Sequence, residues 1–375
     1  MITRKLTNII QRKIHKGKAI ILLGARQVGK STLLHQALEN ETNVLWLDAE
    51  NADVAPLFLN PTSTRLKTLF GKFKIVVIDE AQKIDNIGSK IKLVTDHLKD
   101  IQIIATGSSA FELRNKTNES LTGRKWEYQL FPLSFAELVE YSNLIEEKRQ
   151  LPHRLVFGCY PEIVTNNDDL TIRLQSLADS YLYKDILMWE GIQKPEKLVL
   201  LLKALAMQIG SEVNYHELGK TVGLKNETVE KYIQLLEQTF VIFRLPSYAT
   251  NQRKELKKGR KIYFFDNGIR NAVLGDFRNW EIRHDQGALF ENYVISELWK
   301  KEHYENKASN FYFWRTADQQ EVDLIIECEG MLNAIEIKWN PKKKARLSKT
   351  FSNAYPNHTF EIIHNENLDE FLLNS

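Results

Sequence analysis

Ile20-Ile21-Leu22-Leu23-Gly24-Ala25-Arg26-Gln27-Val28-Gly29-Lys30-Ser31-Thr32-Leu33-Leu34 decides how the rest of the chain is read. An apolar run ends in a glycine, crosses a short loop and reaches Gly29-Lys30-Ser31 at the head of an amphipathic segment. This is the G-x-x-x-x-G-K-[ST] phosphate-binding pattern in the strand–loop–helix setting it requires. The glycines let the backbone curl, so that successive N–H groups from Gly24 through Ala25, Arg26, Gln27, Val28 and Gly29 point at one phosphate. The helix that follows adds its unpaired N–H groups and the positive end of its dipole. Lys30 would reach the β- and γ-phosphates and Ser31 would hold Mg²⁺, with Thr32 beside it as the fallback ligand. The competing reading is a chance glycine-rich turn, against which every fixed position of the pattern is filled.

Working outward, 375 residues suggest two or three domains of roughly 100–200 residues each. With 43% hydrophobic and 26% charged residues, the composition is that of an ordinary globular protein. The net charge of +3 balances 51 basic against 48 acidic residues, so any nucleic-acid surface must be local. Cys159 and Cys328 stand far apart without metal-ligand spacing, which argues against a zinc site or a disulfide framework and fits a reducing compartment. The N-terminal stretch lacks the apolar core of a signal peptide, and no apolar run approaches the ~18 residues of a membrane span. A cytoplasmic protein with no membrane partner is expected.

The spacing of Leu6, Ile9, Ile10 and Ile14 predicts a basic amphipathic helix up to about residue 17. Strands are expected at Val44–Asp48, Ile75–Glu80, Ile101–Ser109 and Trp126–Leu130, alternating with helices. That alternation gives an α/β fold with a parallel sheet covered on both faces. Pro132 interrupts it. Helices are then expected over 135–146, 151–157, 170–189 and 198–209. Residues 215–236 read as a helix-turn-helix, and Val241–Leu245 with Ile262–Phe265 as the strands of a wing. Further on come an apolar-faced helix, Gly287–Lys300, and three strand-like runs, Phe311–Trp314, Val322–Cys328 and Leu332–Ile337.

Ile75-Val76-Val77-Ile78-Asp79-Glu80 is a buried strand that delivers two acids at its C-terminal edge. It reads as a Walker B element. Asp79 would hold Mg²⁺ through its water shell, and Glu80 would orient the attacking water. A solvated strand end is the plain alternative. Ser108 and Ser109 end the next strand, where a polar sensor of the γ-phosphate belongs, although a surface turn fits either serine equally well. Arg124 is a candidate arginine finger acting in trans, with a simple surface arginine as the alternative.

Together, Gly24–Thr32, Ile75–Glu80 followed by Ala81-Gln82-Lys83, Thr106-Gly107-Ser108-Ser109, Thr122-Gly123-Arg124 and Phe131-Pro132-Leu133-Ser134-Phe135 resemble prokaryotic AAA+ ATPases. The order of motifs is most similar to a bacterial and archaeal family that joins an AAA domain to a C-terminal domain of unknown function. Gly158-Cys159-Tyr160-Pro161-Glu162 is similar to that family's Gly-Gly-Tyr-Pro-Glu signature, with Cys159 in place of a glycine. The resemblance implies that Pro161 lines the adenine pocket, as in related signalling ATPases. Tyr181–Asp185 is also family-like, without a chemical role for Asp185. The implied organisation is an AAA+ nucleotide-binding domain over residues 1–134, a helical lid over 135–190, a winged helix over 191–282 and a small α/β nuclease-like domain over 283–375.

The residues of the last part agree with that implication. Asp323 lies on one strand-like run, and Glu336 and Lys338 share one face of the next. Glu291, on the preceding helix, would complete the group. The set resembles a PD-(D/E)XK nuclease site, in which two or three carboxylates hold Mg²⁺ and a lysine stabilises the attacked phosphate. An edge strand with solvated polar residues, or a nuclease fold kept for binding, reads equally from so short a motif.

The second helix of the helix-turn-helix carries mixed charges, Lys225, Glu227, Glu230 and Lys231, which suits a major-groove reader poorly. The stronger basic cluster is the wing: Arg253, Lys254, Lys257, Lys258, Arg260 and Lys261. Lys342, Lys343, Lys344 and Arg346 form another run, and both runs also fit a solvated surface. The expected function is Mg²⁺-dependent binding and hydrolysis of ATP, acting on or near DNA, with ATP or ADP, DNA and a second copy of the chain as partners. A nucleotide-controlled switch that binds DNA or protein without cleaving it is the alternative.

Overall fold

The computed structural model describes residues 2–108, 121–180, 192, 194–249 and 259–374. Ser109, Tyr181–Asp185, Arg253, Lys254, Lys257 and Lys258, named above, lie outside the described residues. The chain divides into two compact units, residues 1–131 with 238–240, and residues 132–237 with 241–375.

In the first unit, β1 (Ala19–Gly24), β2 (Val44–Asp48), β3 (Ile75–Asp79), β4 (Gln102–Gly107) and β5 (Lys125–Leu130) form one sheet in the order β2-β3-β4-β1-β5. Every pairing is parallel. A parallel sheet is covered by helices on both faces, so its central strands must be apolar on both sides. Ile20–Leu23 and Ile75–Ile78 meet that demand and are buried throughout. The order brings the C-terminal ends of β3, β4 and β1 side by side, and the residues that follow them converge on one edge.

The two glycines of the phosphate loop are required for different reasons. A Cβ on Gly24 would lie 2.4 Å from the Leu130 carbonyl oxygen, so only glycine lets β1 and β5 approach there. Gly29 has φ +92 and is the N-cap of the helix Lys30–Ala37, a conformation that suits glycine. The N-terminal helix is shorter than its apolar spacing predicts: it spans Lys5–Gln11, and the chain then turns through His15 and Gly17 at positive φ. Just before it, the buried Arg4 guanidinium donates to the Val28 carbonyl at 2.6 Å and to the Phe131 carbonyl at 2.6 Å.

The second unit starts with the helix Phe135–Tyr141, whose Ser134 and Glu137 form a capping box. Asn143 opens a new helix, Leu144–Phe157, by accepting the Glu146 N–H at 2.9 Å. The break therefore falls at 142–143 rather than between 146 and 151. Helices Pro161–Thr165, Leu170–Ser180 and Pro195–Met207 follow, then the helix pair Tyr215–Val222 and Asn226–Gln238. β6 (Glu212–Val213), β7 (Ile242–Pro246) and β8 (Arg260–Phe264) form an antiparallel sheet in the order β6-β8-β7. The last segment sets the helix Gln286–Glu305 with β9 (Asn310–Arg315), β10 (Glu321–Cys328), β11 (Met331–Ile337) and β12 (His358–Ile363), in the order β12-β11-β10-β9. β12, which runs parallel to β11, goes beyond the three strands read from the sequence.

Helix Gln286–Glu305 organises this unit through buried polar contacts. Asn292 accepts the Phe264 N–H at 2.7 Å and donates to the Phe264 carbonyl at 3.0 Å. Glu297 accepts the Phe135 N–H at 2.7 Å, and Lys300 bonds to Glu297 at 2.7 Å and to the Leu133 carbonyl at 3.3 Å. No helix among the described residues is long and apolar enough to cross a membrane.

Substituting Gly24→Ala should force β5 away from β1. The expected outcome is a loss of about 2 kcal/mol or more in urea unfolding, as for other overpacked cores. Wild-type stability would contradict the assigned strand contact.

Candidate nucleotide site and C-terminal acidic cluster

At the C-terminal edge of the first sheet, the Asp79 carboxylate gathers three strands. Its Oδ2 accepts the Ser31 hydroxyl at 2.6 Å, and its Oδ1 accepts the Thr106 hydroxyl from β4. Thr106 Oγ1 in turn accepts the Glu80 N–H at 3.2 Å. Lys30 is 6% exposed, and its Nζ donates to the Gly24 and Ala25 carbonyls at 2.9 and 3.0 Å. The same ammonium stands 3.7 Å from Glu80 Oε1. Glu80 itself has φ 47, an uncommon value for a non-glycine residue, which turns its side chain back from the strand end. Arg26 leaves the loop sideways to pair with Glu50 at 2.7 Å.

The structure brings together Gly24, Lys30, Ser31, Asp79, Glu80 and Ser108. The Ser31 hydroxyl and the Asp79 carboxylate form a pair of hard oxygen donors suited to Mg²⁺, which takes few protein ligands and keeps waters and phosphate oxygens. Thr32 neighbours Ser31 on the same helix. Two residues were not foreseen. In the sequence Thr106 stands only within the motif Thr106–Ser109, and its contact with Asp79 depends on β3 and β4 being neighbours. Arg4 falls within the basic helix that the spacing predicts, yet it ties the outside of the phosphate loop to the end of β5.

Arg124 is not brought to this site. It precedes β5 at the opposite edge of the sheet, where its Nε pairs with Asp96 at 2.6 Å. That ion pair is partly exposed and holds the Asp96 carboxyl below its usual range. Pro161 begins the helix Pro161–Thr165 in the second unit. The local role of its signature is structural: Asp266 accepts the Cys159 N–H at 2.7 Å, and a Cβ on Gly158 would lie 2.0 Å from the same carboxylate.

In the second unit, Asp323 and Glu336 lie across β10 and β11, one step beyond the Leu324–Ile335 pair. They are 8% and 9% exposed. Lys338 Nζ lies between them, 2.9 Å from Asp323 Oδ2 and 2.7 Å from Glu336 Oε2. Asp323 Oδ2 also accepts the Ile337 N–H at 2.8 Å. Burial, reinforced by the Asp323 carboxylate, raises Glu336 to about 7 against the opposing pull of Lys338. Glu291 is drawn elsewhere: it accepts the Tyr263 hydroxyl at 2.6 Å and lies 3.3 Å from Lys261 Nζ. Burial raises its carboxyl too. Among the described residues, no three His, Cys, Asp or Glu side chains form a group fit to hold a metal ion. The three-carboxylate arrangement thus narrows to an Asp323–Glu336 pair with its lysine. A cleft of about 710 Å³ opens beside it, lined by Glu291, Lys338, Trp339, Asn340 and Lys343 among others.

Lys261 corrects the reading of the wing as a uniformly basic surface. It is 1% exposed and bridges Glu291 and Glu321, the latter at 2.5 Å. Burial disfavours its charge, but the two carboxylates outweigh burial and raise its pKa. The reason is strand alternation. β8 begins at Arg260, so Lys261 and Tyr263 share the face turned to Glu291, while Ile262 and Phe264 on the other face are buried as well and Arg260 lies over the Tyr215 ring.

Residues 16–139 match the family model described as an AAA domain. Residues 148–279 and 286–371 match two models described as domains of unknown function, DUF8612 and DUF4143. An uncharacterized protein of Mycobacterium tuberculosis is 26% identical over 88% of this chain and 72% of its own length. One from Haemophilus influenzae is 28% identical over 68% of this chain and 69% of its own length. Among solved structures, a Walker-type ATPase of Pyrococcus abyssi aligns with 72% of this chain and 95% of its own, at 15% identity and a TM-score of 0.48. The first unit thus has the phosphate-loop motif on a five-stranded parallel sheet, and most of it matches the AAA-domain model.

The Glu336 carboxyl makes stability depend on pH. Its rise from 4.5 to about 7 means that the unfolded chain ionises first as pH increases. The folded state therefore loses up to about 3 kcal/mol between pH 4.5 and 7. Glu336→Gln should remove that loss. In urea unfolding with EDTA, the variant should gain on the wild type from pH 5 to pH 8, and a pH-independent difference would refute the assignment.

Proposed function

We propose that the first unit binds Mg²⁺-ATP and hydrolyses it. The observation that supports this most is the 2.6 Å bond from Ser31 to Asp79, with Lys30 at the loop and Glu80 beside it. The backbone N–H groups of residues 24–29 and the start of the helix after them would cradle the phosphates. Lys30 would move its ammonium from the loop carbonyls to the β- and γ-phosphates. Ser31 and Asp79 would hold Mg²⁺, with Thr32 as the alternative ligand; bound there, the ion would neutralise charge on the phosphate oxygens. Glu80 would hold the attacking water in line, and Ser108 would sense the γ-phosphate. Arg124, being far from its own chain's loop, would contribute only in trans, within a homo-oligomer.

For the second unit we propose action on or near DNA. Residues 135–190 would serve as a lid, 191–282 as a winged helix and 283–375 as a nuclease-like domain. The buried Asp323–Glu336 pair with Lys338 supports a site for a phosphodiester and a divalent ion. Glu291 would join it only by giving up its bonds to Tyr263 and Lys261.

Phosphate release with Mg²⁺, measured with and without single- and double-stranded DNA, tests both parts. Lys30→Ala and Glu80→Gln should each lower turnover by roughly 100-fold or more, as removal of a transition-state contact does. Stimulation by DNA supports a DNA-coupled enzyme. Tight ATP binding without turnover supports the nucleotide switch instead. If the C-terminal pair cleaves, Mn²⁺ should permit DNA cleavage that Asp323→Ala abolishes; cleavage that survives the substitution would sink that part.

A further inference from the structure

Glu80 presents its two carboxylate oxygens to different surroundings. Oε2 accepts two hydrogen bonds, from Gln82 Nε2 at 2.5 Å and from the Ser108 hydroxyl at 3.0 Å. The donors are themselves linked, since Gln82 Nε2 lies 3.3 Å from Ser108 Oγ. Oε1 instead faces the phosphate loop, 3.7 Å from Lys30. Gln82 lies on the single 3-10 turn Ala81–Lys83 and is 4% exposed, so its amide is held in place by packing as well as by polar contacts.

A carboxylate on a flexible stem can turn either oxygen towards a substrate, and only one orientation sets a water in line. Two donors on Oε2 select one rotamer and leave Oε1 towards the loop. A carboxylate has only acceptors, so the amide of Gln82 must present its nitrogen to it, which fixes the direction of the bond. The geometry points to Gln82 as a positioning residue for hydrolysis: it aims Glu80 Oε1 at the water that attacks the γ-phosphate. Ser108 shares that task, in addition to sensing the phosphate. This inference rests on the reading of the first unit as an ATPase. It deepens that reading by naming a residue outside the phosphate-loop and acid motifs.

The test uses the full chain and Gln82→Met, which keeps the side chain's length and removes its donor. Loss of an orienting partner typically costs about 10–100-fold in rate. Turnover should fall by that factor while the Kd for a fluorescent ATP analogue, read by titration, stays within about threefold of wild type. ATP recovered with the protein after rapid gel filtration should remain ATP for correspondingly longer. In a Glu80→Gln background the same substitution should cause no further loss, because Gln82 acts only through Glu80. Normal turnover in Gln82→Met, or a full additional loss in the Glu80→Gln background, would overturn the assignment. If Gln82→Met binds the analogue poorly, Gln82→Leu, which likewise lacks the amide donor, carries the test with the same two outcomes. Wild-type turnover no greater than that of Lys30→Ala would instead overturn the ATPase reading, and the role of Gln82 with it.

Discussion

The Asp79 carboxylate is the point on which the first unit depends. It accepts hydroxyl groups from Ser31, just past the loop after β1, and from Thr106, near the end of β4, while itself ending β3. One side chain thus ties together the ends of three parallel strands. A half-buried carboxylate without such donors would be costly, so the strand order and the site specify each other. The same contacts explain why Glu80 can keep a left-handed backbone: its N–H is held by both Asp79 Oδ1 and Thr106 Oγ1, each at 3.2 Å.

The second unit solves a different problem, that of burying many charges in one place. Lysines alternate with carboxylates: Lys338 between Asp323 and Glu336, Lys261 between Glu291 and Glu321. Each ammonium meets two acceptors, which keeps the lysines charged despite burial, while burial pushes the Glu336 and Glu291 carboxyls up. The arrangement also joins segments that match separate families, because Lys261 and Tyr263 come from β8 and Glu291 from the helix Gln286–Glu305. The sheets meet as well, through the Tyr248 N–H bond to the Phe313 carbonyl at 2.7 Å. The acidic cluster is therefore a product of the whole unit rather than of its last part.

The phosphate loop, the strand of Asp79 and the parallel α/β class were legible because each is a local pattern: an apolar run, fixed glycines, an acid at a strand end. Contacts that depend on which strands are neighbours were not. Arg4 reaches Phe131 across 127 positions, and no spacing rule encodes that reach. Thr106 becomes informative only once β4 is known to lie beside β3. Lys261 was misread because it sits in a basic run, and a run of charges hides the two-residue period of a strand. The same period predicts an inward Tyr263, a signal that was available. Gln82 stands in the sequence only within Ala81-Gln82-Lys83, and its bond to Glu80 is one that sequence does not specify.

The central claim is that Ser31 and Asp79 form a metal site completed by nucleotide. The most direct measurement is Mn²⁺ binding by electron paramagnetic resonance, with and without ADP, in the wild type and in Asp79→Asn. The account predicts Mn²⁺ uptake that requires nucleotide and weakens by about tenfold or more in the variant. Nucleotide-dependent uptake that is undiminished in Asp79→Asn would contradict it.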